Sequence, residues 1–197
     1  MVGIPRDEIK RKCFHLLSLI YVFGYWYLPK KTVVLGLVIT IIVVVLCEFM
    51  RFKFPFLNEI FKNNFRGFYR TNELYKVSGL IWTLSGALLT ILLFSNTHMV
   101  FASLLYFSFG DAIAALIGKS FVVHKTIFGK SLEGSLSCFI VCFILGLFLF
   151  NKKFALVGAF IAMIIEAIPW KLNDNFWMQI INAEILTFLS NFMVWIK

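Results

Sequence analysis

Residues 32–50 read TVVLGLVITIIVVVLCEFM, nineteen residues with a single charge, Glu48, near the end. As a helix rising about 1.5 Å per residue, the stretch nearly matches the roughly 30 Å hydrocarbon core of a bilayer. It reads as a membrane span, and six more apolar blocks flank it: Lys12–Leu28, Val77–Ser95, His98–Gly118, Glu133–Phe150, Lys153–Pro169 and Phe176–Ile196. The blocks predict an all-α, polytopic integral membrane helical bundle. Residues 1–197 form one domain with about seven transmembrane helices. The first and sixth blocks are short for a span and would tilt or sit in thinned membrane.

Composition agrees. Of 197 residues, 60% are hydrophobic and 15% charged, against about half and a quarter in soluble domains. The net charge of +9 does not point to nucleic acid, because the basic residues sit in short connections beside apolar blocks, where they encode topology and meet anionic headgroups. Cys13, Cys47, Cys138 and Cys142 contain no CxxC pair and imply no disulfide framework. The first block follows a basic N-terminus, as in a signal peptide. It ends in Pro29-Lys30-Lys31 without a small-x-small site, so it reads as a retained helix.

With seven alternating spans, the N-terminus and the second, fourth and sixth connections carry fourteen of the 19 basic residues. The positive-inside bias makes that side cytoplasmic and puts the C-terminus opposite. Asp111, Glu133, Glu166 and Asp174 fall on or near the same side, so an active site would open to the cytosol. The connection 51–76 is long and mixes Phe54, Phe56, Leu57, Ile60 and Phe61 with basic residues, which predicts an interfacial amphipathic helix.

The chemistry centres on Asp111. An acid within a span costs roughly 2.5–3.5 kcal/mol at a helix centre and is a functional candidate by default. Helical spacing places Asp111, Ala114 and Gly118 on one small-residue strip, which could equally be a packing face with the acid paired to a loop lysine. Downstream stand Lys130, Ser131, Glu133 and Gly134. Lys130 could hold phosphate oxygens, and Glu133 with Asp111 could hold magnesium. Ser131 could bond a phosphate or cap the next helix, with Lys130 and Glu133 as a solvated pair. Gly129-Lys130-Ser131 imitates the end of a P-loop, but His124 occupies the required first glycine position. Further candidates are Arg11, Lys12 and His15, with Glu8 on the same helical face; Glu48 with Arg51; Arg70 and Glu73; and Asp174 with Asn175 near Glu166. Each also has a plain role as anchor, ion pair or cap. Carboxylates and bases at one membrane face suit metal-assisted phosphoryl chemistry.

The run Asp111-x-x-Ala114-x-x-x-Gly118, then Lys130-Ser131-x-Glu133-Gly134, resembles the nucleotide-binding motif of the CTP-dependent lipid kinases, the polyprenol kinase family that includes dolichol kinase, phytol kinase and CTP-dependent diacylglycerol kinase. Arg11-Lys12-x-x-His15, Glu48-x-x-Arg51, Glu73 before Gly79, and Glu166 followed by Asp174-Asn175 extend the resemblance over nearly the whole chain. It implies transfer of the γ-phosphate of CTP to the hydroxyl of a membrane lipid alcohol with Mg2+. Asp111 and Glu133 would position metal and phosphates, Lys130 would neutralise charge, Ser131 and Gly134 would touch phosphate, and Asp111 or Glu166 would take the alcohol proton. A phosphatidate cytidylyltransferase is the alternative enzyme, but its Pro-Gly-His run has no counterpart at Ile168-Pro169-Trp170. A transporter would spread its polar groups through several spans.

Overall fold

The computed structural model describes residues 6–65, 67–68, 73, 76–121, 124–125, 129–170 and 173–193. Among them the regular structure is helical, apart from an isolated bridge between Lys125 and Ser131. The helices are α1 (Arg6–His15), α2 (Leu19–Tyr27), α3 (Lys30–Lys53), α4 (Pro55–Asn64), α5 (Gly79–Leu93), α6 (Thr97–Leu105), α7 (Ala112–Ser120), α8 (Leu132–Leu149), α9 (Lys152–Ala167) and α10 (Asp174–Ser190). A 3-10 turn, Leu16–Ser18, joins α1 to α2, and a π-helical turn, Tyr106–Asp111, joins α6 to α7.

Local chemistry sets the helix ends. Proline lacks an N–H and pushes the preceding residue into extended backbone. Leu28 before Pro29 and Phe54 before Pro55 both adopt that conformation, ending α2 and α3. Asn96, Ser131, Asn151 and Asn173 each accept a backbone N–H at the start of α6, α8, α9 and α10, so side chains satisfy donors the helix leaves open.

Among the described residues three helical runs are long and apolar enough to cross a membrane: Lys30–Lys53, Thr97–Ser120 and Leu132–Leu149. The other expected blocks are helical but shorter. The first is divided at Leu16–Ser18, and α5, α9 and α10 have 15, 16 and 17 residues. The expected amphipathic helix is α4, which buries none of its residues.

The α6–α7 run is the centre of the bundle, with every residue from Met99 to Ser108 buried. A helix apolar on all sides belongs inside. One apolar core joins it to α8, α9 and α10, and another joins it to α2, α3 and α5. The α8 helix runs antiparallel to α6–α7. Ser131 faces Gly118, Gly134 faces Ala114, Cys138 and Cys142 face Gly110, and Gly146 faces Tyr106. Its small residues Gly134, Cys138, Cys142 and Gly146 are buried, while Leu132, Leu136, Ile140, Ile144 and Phe148 form an exposed stripe at every fourth position. Small residues inward and large apolar residues outward is the pattern of a helix packed in lipid, where close backbone approach drives association.

Candidate active site

Three polar groupings meet at the end of the bundle where α7 stops and α8 begins. In the first, α1 lies against α7. Lys12 Nζ is 2.5 Å from Asp111 Oδ2, and His15 Nε2 is 3.6 Å from the same oxygen, with its ring edge-on to Phe107. One turn earlier Glu8 is bridged by Arg11 at 2.5 Å and by Lys119 of α7 at 2.6 Å. The docking face is thus Glu8, Lys12 and His15, whereas Arg11 of the expected face bonds only Glu8 of its own helix. Asp111 ends the π turn, a distortion frequent at functional sites.

The second grouping surrounds Lys130. Its ammonium donates to the Glu166 carbonyl and to Glu166 Oε1 at 3.0 Å, and lies 3.4 Å from Asp174 Oδ2. Ser135 donates to the other Glu166 oxygen at 3.5 Å. Burial alone would lower the Lys130 pKa, but Glu166, Asp174, the Glu166 bond and Asp111 outweigh it and raise it above the ordinary lysine value. Asp111 thus falls within the field of Lys130, which links the first two groupings. A buried ion pair is weak evidence for stability, since desolvation cancels much of the attraction. Several of them at one end of a membrane-type bundle are better explained by use.

In the third, Arg51 holds Glu48 at 2.6 Å and donates to the carbonyls of Glu73 and Lys76. The Glu73 carboxylate and the Asn175 amide both border Gly79, and Asn175 donates to Thr83 at 3.1 Å.

Among the sequence-predicted residues, then, Asp111, Lys12 and His15 come together, as do Lys130, Glu166 and Asp174, with Glu73 near Asn175. Arg70 lies outside the described residues. Glu133 does not join Lys130. Ser131 caps α8 and donates to Glu133 at 2.6 Å, and His124 holds the other carboxylate oxygen through its backbone N–H at 3.0 Å and its ring Nδ1 at 3.1 Å. The antiparallel register sets Glu133 nearer the level of Gly118 than of Asp111. Ala114, Gly118 and Gly134 form the α7–α8 crossing, where a Cβ on Gly134 would come 2.6 Å from the Ala114 carbonyl oxygen. Sequence reasoning missed Lys119 and Ser135. Ser135 was signalled only by lying one turn after Ser131.

Fold and site define a helical membrane-type protein with a buried acid–lysine cluster at one end. The chain is similar in sequence to proteins named as CTP-dependent diacylglycerol kinases. It is 29% identical to CTP-dependent diacylglycerol kinase 1 of Saccharomyces cerevisiae over 143 residues, 70% of this chain and 49% of that protein. It therefore spans about half the length of that relative. CTP-dependent diacylglycerol kinase 1 of Eremothecium gossypii is 23% identical over 211 residues, 91% of this chain and 66% of that one. An uncharacterized protein of Methanocaldococcus jannaschii is 26% identical over 188 residues, covering 93% of this chain and 95% of its own length. No protein-family model and no solved structure matches the chain.

Proposed function

We propose that the chain is a multi-pass membrane enzyme that transfers the γ-phosphate of CTP to the hydroxyl of a membrane lipid alcohol, of the diacylglycerol, polyprenol or phytol kind. The observation that carries this reading is Lys130, a cation gripped by Glu166 and Asp174 with Asp111 in its field, beside the N-terminus of α8. A helix N-terminus and an adjacent lysine both attract phosphate. The homology to kinases named for CTP and diacylglycerol supports the donor and the acceptor class.

In this reading Lys130 and Lys12 exchange carboxylate partners for phosphate oxygens when nucleotide enters. The freed carboxylate, Asp111 or Glu166, accepts the proton of the alcohol. The alcohol oxygen then bonds to the γ-phosphorus while the bond to the bridging oxygen breaks, and CDP leaves. Such transfer depends on positioning and charge stabilisation. Among the described residues no three His, Cys, Asp or Glu side chains gather as a metal cage. Magnesium takes one or two carboxylates together with substrate phosphates. Asp111 or Glu133, which lie at different levels of the α7–α8 pair, would supply a carboxylate, and the ion would offset charge on the phosphates. The seven-span topology, with the N-terminus and site cytoplasmic, completes the proposal and supplies cytosolic CTP directly.

The test is purified protein in detergent with labelled CTP or ATP and a panel of lipid alcohols. CDP and a phosphorylated lipid are expected, with transfer abolished by Asp111→Asn. Release of pyrophosphate would indicate a cytidylyltransferase, and full activity of the Asp111→Asn protein would sink the assignment.

A further inference from the structure

A groove of about 840 Å³ runs between α2 and α3. On α3 its wall is Thr32, Gly36, Thr40, Val44 and Cys47, ending at Glu48. The sixteen helical rises from Thr32 to Glu48 make it about 24 Å long, most of the hydrocarbon thickness of a bilayer. Leu17 of the 3-10 turn, Ile20 and Gly24 of α2, and Leu28 just after it form the opposite wall. Thr32, Gly36 and Thr40 are exposed, so the groove opens sideways where a lipid-facing surface would be. One end is polar and is lined by Lys12, His15, Glu73 and Asn175. Two of these, Lys12 and His15, are the residues that touch Asp111.

The geometry points to the seat of the acceptor lipid: its hydrocarbon chain lies along the α2–α3 groove, and its hydroxyl reaches Asp111 past His15. The hydroxyl end of this assignment rests on the phosphotransfer reading, whereas the chain end stands on the groove alone. A peptide is a poor occupant, because an apolar wall within the membrane leaves backbone N–H and C=O groups unsatisfied. A lipid with one small polar end matches the groove's division into a long apolar slot and a short polar terminus. The space itself is kept by Gly36. A Cβ built there meets nothing within 4 Å, and one on Gly24 meets only Val33 at 4.0 Å. A larger side chain at position 36 would therefore enter the groove without striking the fold.

The experiment compares wild type, Gly36→Phe, and Ile39→Phe on the exposed face of the same helix. Each is reconstituted in phosphatidylcholine vesicles with a long-chain lipid alcohol carrying a mid-chain diazirine, irradiated, and mapped by mass spectrometry. Crosslinks are expected on α2 and α3, largely lost in Gly36→Phe and kept in Ile39→Phe. The KM for the long-chain alcohol should rise about tenfold or more in Gly36→Phe, as expected when a pocket is filled, with transfer to a short-chain soluble alcohol unchanged. Thr40→Leu gives the same readout if Gly36→Phe does not fold. Crosslinks that are unaltered in both groove variants, or spread over the α8 stripe, overturn the groove. Crosslinking requires no phosphate transfer, so groove crosslinks without any transfer would instead reject the kinase reading and leave the lipid seat standing.

Discussion

Lys12 and Asp111 are 99 residues apart in sequence, yet their charged atoms lie 2.5 Å apart. The pair fastens α1 to the π turn within the central α6–α7 run. It also means that one of the two cations in the proposed phosphate site comes from the first helix of the chain. Both side chains are largely shielded from solvent, so removing one leaves the other charged and unpaired. Lys12→Met should cost about 3–5 kcal/mol, the range for breaking a buried pair. Lys12→Met with Asp111→Asn should regain most of that stability while transferring no phosphate. Thermal unfolding in detergent, read beside the transfer assay, separates the two effects. If the double variant were as unstable as the single, the pair would not be the cause.

The α7–α8 crossing makes a second prediction. A Cβ on Gly134 would lie 2.6 Å from the Ala114 carbonyl oxygen and 3.1 Å from the Gly118 Cα. Backbone cannot swing aside as a flexible side chain does, so Gly134→Ala should destabilise by about 1–3 kcal/mol, as overpacking does. Gly36→Ala, with open space around it, should be neutral or stabilising by about 0.5–1 kcal/mol from helix propensity alone. Denaturation midpoints in one detergent should rank Gly36→Ala at or above wild type and Gly134→Ala well below it.

These contrasts mark how much the residues declared in advance. The apolar blocks became helices almost block for block, because composition and the Asn, Ser and Pro punctuation act locally. The division of the first block at Leu16–Ser18 and the π turn before Asp111 had no such signal. Both lie where α1 and α6–α7 press together, including a Ser18–Ser108 contact of 2.7 Å, so packing decides them. The site was legible in its members rather than its pairings. Asp111 could have taken a loop lysine but takes Lys12. Lys130 could have taken Glu133, three residues on, but Ser131 and His124 hold that carboxylate, and Lys130 turns to Glu166 and Asp174. Pairing across α9 and α10 depends on topology, which spacing along one helix does not carry.

Arg51 offers a contrast between buried and exposed charge. It holds Glu48, donates to the carbonyls of Glu73 and Lys76, and lies over the Phe61 ring at 4.8 Å. Arg51→Met should leave Glu48 and two carbonyls without their donor and cost about 3–5 kcal/mol. Glu59 and Lys62 have the same three-residue spacing at 2.8 Å, but Glu59 is mostly exposed. Glu59→Gln should therefore change stability by no more than about 1 kcal/mol. Equal losses in the two variants would mean that burial does not set the scale here.

Lys130 gives the pH dependence its sign. Its pKa in the folded protein lies above the ordinary 10.5, because Glu166 and Asp174, with Asp111 beyond them, outweigh burial. A group raised on folding stabilises the native state fully while it is protonated in both states, and the contribution fades as pH rises through the folded value. The contribution of Lys130 should thus be flat from pH 7 to about 10 and decline only above the reference 10.5. The measurement is the difference in unfolding midpoint between wild type and Lys130→Met across that range. A constant gap that narrows only at the alkaline end is expected. A gap that closes near pH 8 would mean that burial, rather than the carboxylates, sets the Lys130 charge. The lysine would then be partly neutral at the proposed nucleotide site, and phosphate recognition would pass to Lys12.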